Sequence, residues 1–79
     1  MSLKIALIGY GKMGKTIEQV AKDRGHSIAA IIDQDNPQDL ETLTPEKVDV
    51  AIEFTEPISA FRNISMCLLS GIPVVSGTT

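Results

Sequence analysis

The strongest constraint on this chain is the hexapeptide Gly9-Tyr10-Gly11-Lys12-Met13-Gly14. It fits G-x-G-x-x-G and directly follows a short apolar run, Lys4 to Ile8. A nearly continuous apolar run of this length reads as a strand buried on both faces of a parallel sheet. After the glycines the period changes. Met13, Ile17, Val20 and Ala21 fall at i, i+4, i+7 and i+8, one stripe of a helix, with Lys15, Glu18, Gln19, Lys22 and Asp23 on the outer face. Gly25 ends that helix, and Arg24 lies near its negative end. Between a strand and a helix each glycine has a mechanical job. Gly9 makes the tight turn, Gly11 lets a pyrophosphate approach the backbone, and Gly14 lets helix and strand pack closely. The helix start then presents unpaired N–H groups and a positive dipole end to the phosphates. The pattern predicts a dinucleotide site. The competing reading is a glycine-rich turn kept for packing alone.

Further along, Ser27 to Ile32 reads as a second strand closed by Asp33. Residues 34–47 are polar, hold Pro37 and Pro45, and read as a loop with one short helical turn. Val48 to Phe54 is the third predicted strand. Pro57 suits the first turn of a helix, Ile58, Phe61, Ile64, Ser65 and Leu68 recur at helical spacing, and Gly71 stops it. Pro73 to Val75 begin a fourth strand. This alternation predicts an α/β fold, one half of a doubly wound parallel sheet with four strands, two main helices and strand order 3-2-1-4. A chain of 79 residues holds one domain at most. The last strand lacks a covering helix, so the chain reads as the front piece of a longer polypeptide.

Asp33 follows Gly14 by 19 residues, near the spacing of an acid that binds the adenosine ribose hydroxyls. Gln34, Asp35 and Asn36 include no cation for a 2′-phosphate, which predicts NADH over NADPH, with Lys12 softening that preference by reaching the phosphates from the loop. The alternative for Asp33 is a solvated acid at a strand end. Phe54-Thr55 and Gly77-Thr78-Thr79 fall at the carboxyl ends of the third and fourth strands, where open α/β sheets bind ligands. They read either as the floor for a nicotinamide ribose or as ordinary strand-to-helix turns.

Charge and composition exclude several classes. The net charge is −3, against a general nucleic-acid binder, although residues 1–32 carry +3 and residues 33–79 carry −6. One cysteine and one histidine exclude an intramolecular disulfide and a zinc cluster of those residues alone, and fit a reducing, cytoplasmic setting. No apolar run approaches the roughly 20 residues of a membrane helix, and the N-terminus is wrong for a signal peptide. His26 reads as a surface residue, Cys67 as a packing residue and Glu53 as a structural or edge carboxylate.

Three segments together, Lys-Ile-Ala-Leu-Ile-Gly-Tyr-Gly-Lys-Met-Gly at 4–14, Glu-Phe-Thr-Glu-Pro at 53–57 and Gly-Ile-Pro-Val-Val-Ser-Gly-Thr-Thr at 71–79, resemble the N-terminal domain of the 4-hydroxy-tetrahydrodipicolinate (dihydrodipicolinate) reductases. The resemblance implies a Rossmann domain and an NADH- or NADPH-dependent reduction of a cyclic intermediate in the diaminopimelate route to lysine. It implies that Gly9 to Gly14 hold the pyrophosphate and Asp33 the ribose. Phe54 and Thr55 would line the cofactor cleft, and Gly77, Thr78 and Thr79 would meet the nicotinamide side. The family commonly has aspartate where Glu53 stands, and many members have a basic residue near Gln34. Its catalytic histidines and lysine belong to a later substrate domain through which it is usually tetrameric, so the resemblance implies cofactor contacts but no catalytic residue here. The other readings are the cofactor domain of a different nicotinamide-dependent dehydrogenase, a non-enzymatic nucleotide-binding module, and a piece too incomplete to bind.

Overall fold

The computed structural model describes residues 2–77. Strand β1 (Lys4–Ile8) leads into helix α1 (Lys12–Asp23), and β2 (Ser27–Ile32) is followed by a 3₁₀ helix, η1 (Pro37–Thr42). Then come β3 (Val50–Glu53), α2 (Pro57–Leu69) and β4 (Val74–Ser76). The strands are parallel and lie in the order β2-β1-β3-β4.

The central strand explains the two-faced core. Ile5, Ala6, Leu7 and Ile8 are all buried, and side chains alternate across a strand. Ile5 and Leu7 pack with Ala21 and Ile17 on the α1 side. Ala6 and Ile8 pack with Leu40, Leu43, Cys67 and Ile72 on the side of η1 and α2. Each fully buried aliphatic side chain contributes about 1.5–3 kcal/mol. Helices on both faces of a parallel sheet make this the expected doubly wound α/β fold.

The strand order corrects the expected 3-2-1-4. The strand read as third does not pair outside β2; it crosses the sheet and pairs with β1, with Ala6 opposite Ala51 and Leu7 opposite Ile52. The connection after β2 has no apolar run able to form an outer strand. Instead η1 anchors Leu40 and Leu43, with Val48 beyond them, in the core on one face. The order is that of the common 3-2-1-4-5-6 sheet with its third strand left out, so β3 takes the fourth place. This strand is also shorter than the predicted 48–54. Val48 is buried ahead of it, Asp49 closes on Lys4 through paired contacts (Asp49 N to Lys4 O, 2.7 Å; Lys4 N to Asp49 Oδ2, 2.8 Å), and Phe54 keeps one ladder bond, to Ile8 O at 2.9 Å.

Both helical stripes need correction. In α1 only Gly14 and Ala21 are buried, with Ile17 half-buried, while Met13 and Val20 face outward. In α2 the inner face is Ala60, Asn63 and Cys67, whereas Ile58, Phe61 and Leu68 lie outside, Ile58 at 89% exposure. Small residues face the sheet because they let the helix axis come close, and the bulky positions are left for the outer side. In α1 the expected stripe holds at Ile17 and Ala21 and fails at Met13 and Val20, whereas in α2 most of the expected stripe faces outward.

Gly9 carries the tightest backbone contact. Its φ is +94°, and a Cβ there would lie 2.5 Å from the Phe54 carbonyl oxygen. Gly9→Ala should therefore destabilise the fold by about 1–3 kcal/mol, from left-handed strain and the clash with backbone, measured as a lower denaturation midpoint. An unchanged midpoint would mean that the glycine loop shifts freely.

Candidate functional site

The cleft lies at the carboxyl ends of β1, β2 and β3, where the glycine loop, the loop after β2 and the start of α2 converge. Its volume is about 800 Å³, within the roughly 300–1,000 Å³ of small-molecule sites. Gly9, Tyr10 and Gly11 form one wall, Asp33 and Gln34 a second, and Phe54 and Thr55 a third. Of the twelve residues expected from sequence to touch the cofactor, Gly9, Tyr10, Gly11, Asp33, Phe54 and Thr55 meet at the cleft. Gly14 acts behind it: the residue is buried, and a Cβ would lie 2.6 Å from Gly9 O, so its absence lets α1 start against the turn. Lys12 and Met13 stand exposed on the first turn of α1 and outside the cleft lining. Gly77 lies against the Phe54 ring, where a Cβ would meet ring carbon within 2.0 Å. Thr78 and Thr79 lie outside the described residues.

The glycine loop fits an anion. Gly11 is the N-cap of α1, no side chain caps that end, and the first turn contains no acid. A Cβ on Gly11 would meet nothing within 4 Å, so the backbone is open on that side. Unpaired N–H groups at a helix start attract phosphate. Gly9 N donates to Ile32 O at 2.7 Å and ties the turn to the end of β2. Tyr10 ties it to the helix: its hydroxyl bonds Glu18, which also pairs with Lys22 at 3.2 Å. That hydrogen bond, and next burial, push the Tyr10 phenol above its ordinary value. The same bond, and then Lys22, hold Glu18 below the usual carboxylate range.

Asp33 is exposed, and the loop behind it is organised by Asn36. Asn36 Oδ1 accepts from Asp33 N at 2.8 Å, and Asn36 Nδ2 donates to Ile31 O and to Asp39 Oδ2, both at 2.9 Å. The Asn36 side chain thus replaces the ladder that ends at Ile32. Sequence reasoning treated Asn36 only as a residue that is not basic. Its position three after Asp33, ahead of Pro37 at a helix start, was the available signal for an Asx-type turn.

Glu53, expected as a structural or edge carboxylate, is structural. It is completely buried, Oε2 accepts from Thr55 N at 3.0 Å and from the Thr55 hydroxyl, and Oε1 accepts from Ser76 Oγ at 2.9 Å. Glu53 O also accepts from Gly77 N at 2.9 Å. Asn63 on α2 reaches the same Thr55 hydroxyl at 3.3 Å. Glu53 therefore joins the ends of β3 and β4 to the start of α2, which explains how a carboxylate survives in the interior.

Other residues take structural places. Cys67 is a buried free thiol, pushed up by burial and then by the negative charge of Glu53, as its packing role requires. His26 is half-buried rather than a surface residue, its Nδ1 accepting from Leu3 N at 3.0 Å. Among the described residues there is no group of histidine, cysteine and carboxylate side chains able to hold a metal.

With the site in place, the chain can be set beside known proteins. The family model for "Dihydrodipicolinate reductase, N-terminus" matches residues 3–79. The chain belongs to the dihydrodipicolinate reductase family. A 4-hydroxy-tetrahydrodipicolinate reductase of Christiangramia forsetii is 48% identical over 77 residues, covering 98% of this chain and 31% of that protein. One from Corynebacterium aurimucosum is 36% identical over 81 residues, covering all of this chain and 32% of that protein. One from Lawsonia intracellularis is 36% identical over 95 residues, again with the whole chain matched and 36% of the relative. The chain spans about a third of the length of these reductases.

Two measurements test this geometry. Glu53→Ala removes the buried acceptor of the Thr55 and Ser76 donors and should cost about 1–3 kcal/mol of stability, with Glu53→Gln costing less because it keeps one acceptor; equal, negligible losses would mean that the β3–β4 tie is unimportant. Glu18→Gln should lower the phenol titration of Tyr10, the chain's one tyrosine, read from tyrosinate absorbance. The sign follows from each shift. Glu18 contributes above the unfolded carboxylate range and loses its contribution as pH falls through the depressed value, whereas Tyr10 loses its contribution as pH rises through the raised one.

Proposed function

We propose that this chain binds NADH or NADPH as the cofactor-binding part of a 4-hydroxy-tetrahydrodipicolinate reductase, an enzyme that reduces a cyclic dihydrodipicolinate-type intermediate to the tetrahydro product. The observation that carries the reading is the convergence of an uncapped helix start with an acid at the end of the neighbouring strand. The pyrophosphate sits over Gly9 to Gly11, with the backbone N–H groups of Lys12, Met13 and Gly14 turned to it from the first turn of α1. Asp33 accepts from the adenosine ribose hydroxyls. Phe54 and Thr55, with Gly77, Thr78 and Thr79, flank the nicotinamide ribose.

When bound, the nicotinamide supplies the hydride. The chain's own residues hold and orient the cofactor, and Glu53 keeps Thr55 and the end of β4 in register while they do so. Proton transfer to the reduced product is assigned, by the family resemblance, to a substrate domain. The same resemblance supports a homotetramer assembled through that domain. A cytoplasmic location fits the single cysteine, and no described helix is long and apolar enough to cross a membrane.

The ribose contact favours NADH, because a 2′-phosphate would stand against the Asp33 carboxylate. A charge-assisted hydrogen bond is worth about 1.5–3 kcal/mol, which sets a ceiling of one to two orders of magnitude on its effect. Fluorescence titration with NADH should give saturable binding, weakened roughly tenfold or more by Asp33→Asn. Binding unchanged by that substitution would overturn the ribose assignment.

A further inference from the structure

Arg62 belongs to none of the motifs considered above, yet it lines the same cleft as Asp33 and Gln34. It is the one lysine or arginine among the residues that line it. Its guanidinium enters no hydrogen bond or ion pair among the described residues, whose single ion pair is Lys22 with Glu18. Helix α2 packs against η1, and η1 begins at Pro37, which lines the cleft just after the Asp33 loop. Arg62 and Asp33 therefore line one cleft, which α2 shares with the start of η1. The phosphate-binding start of α1 has its own donors and needs no second cation.

We propose that Arg62 is the specificity residue that admits the 2′-phosphate of NADPH. It supplies from α2 the cation that Gln34, Asp35 and Asn36 do not supply from the loop after β2. Asp33 receives the ribose diol of NADH, and Arg62 receives the phosphate that replaces one hydroxyl in NADPH. The two side chains thereby narrow the preference that Asp33 alone would impose. The guanidinium suits this task because it stays charged and offers a planar set of donors to phosphate oxygens. This inference rests on the dinucleotide reading of the cleft.

The test is a set of dissociation constants for NADH and NADPH, measured on the protein in its natural full length, as wild type, Arg62→Gln and Arg62→Lys. The wild type should bind the two cofactors within about tenfold of each other. Arg62→Gln should weaken NADPH roughly tenfold more than NADH, the scale of one charge-assisted hydrogen bond, and Arg62→Lys should recover part of that difference. The NADPH constant should also rise more steeply with salt in the wild type than in Arg62→Gln. Equal weakening of both cofactors would overturn the proposal, because Arg62 would then act on the adenine they share. Tight binding of both with an unmoved ratio would overturn it as well and leave the dinucleotide site standing. Failure of the wild type to bind either cofactor would overturn the dinucleotide reading and this inference with it.

Discussion

The rest of the structure depends on how closely two pieces of backbone approach at the top of the sheet. Gly9 turns directly against the carbonyl of Phe54, closer than any side chain would permit. That contact seats the glycine loop beside the end of β3, and Gly14 seats α1 beside the same loop. The helix start, the Asp33 loop and the Phe54-Thr55 loop then open onto one space. Without the close approach the same elements could still pack as layers, but their ends would not share a cleft.

The chain's polar interior continues the same logic. A buried carboxylate is costly unless donors surround it, and Glu53 accepts from Thr55 and Ser76. This is a structural use of charge, and it holds loops from two strand ends at a common height. Asn36 does similar work on the other side of the cleft, with its side-chain amide substituting for strand hydrogen bonds where β2 stops. Both residues are framework for neighbours that face the cleft.

Much of this was legible in the sequence because the signals were local. The strand–glycine–helix unit, the acid closing β2, and Phe54-Thr55 at the end of β3 each follow from spacing within a few turns of chain. Strand order was not legible, because it depends on which side of β1 the chain reaches after η1, and Leu40, Leu43 and Val48 decide that through packing on one face. The polarity of α2 was hidden for a related reason. Its apolar stripe suggested an inner face, while close approach to the sheet selected Ala60, Asn63 and Cys67. Arg62 was invisible as a cleft residue because it follows Asp33 by 29 positions and comes to the same cleft only through the packing of α2.

The Asn36 turn also divides the loop after β2 into positions that can change and positions that cannot. Gln34 lines the cleft, but no part of the hydrogen-bonded turn runs through its side chain. A basic residue at 34 would alter the charge facing the cleft while the frame beneath it stayed intact. The same replacement at 36 would remove the amide that holds Asp33, Ile31 and Asp39 together. Cofactor choice in this fold is thus separable from loop architecture over a distance of two residues, which leaves a lineage room to exchange one nicotinamide cofactor for the other by single steps without passing through an unfolded site.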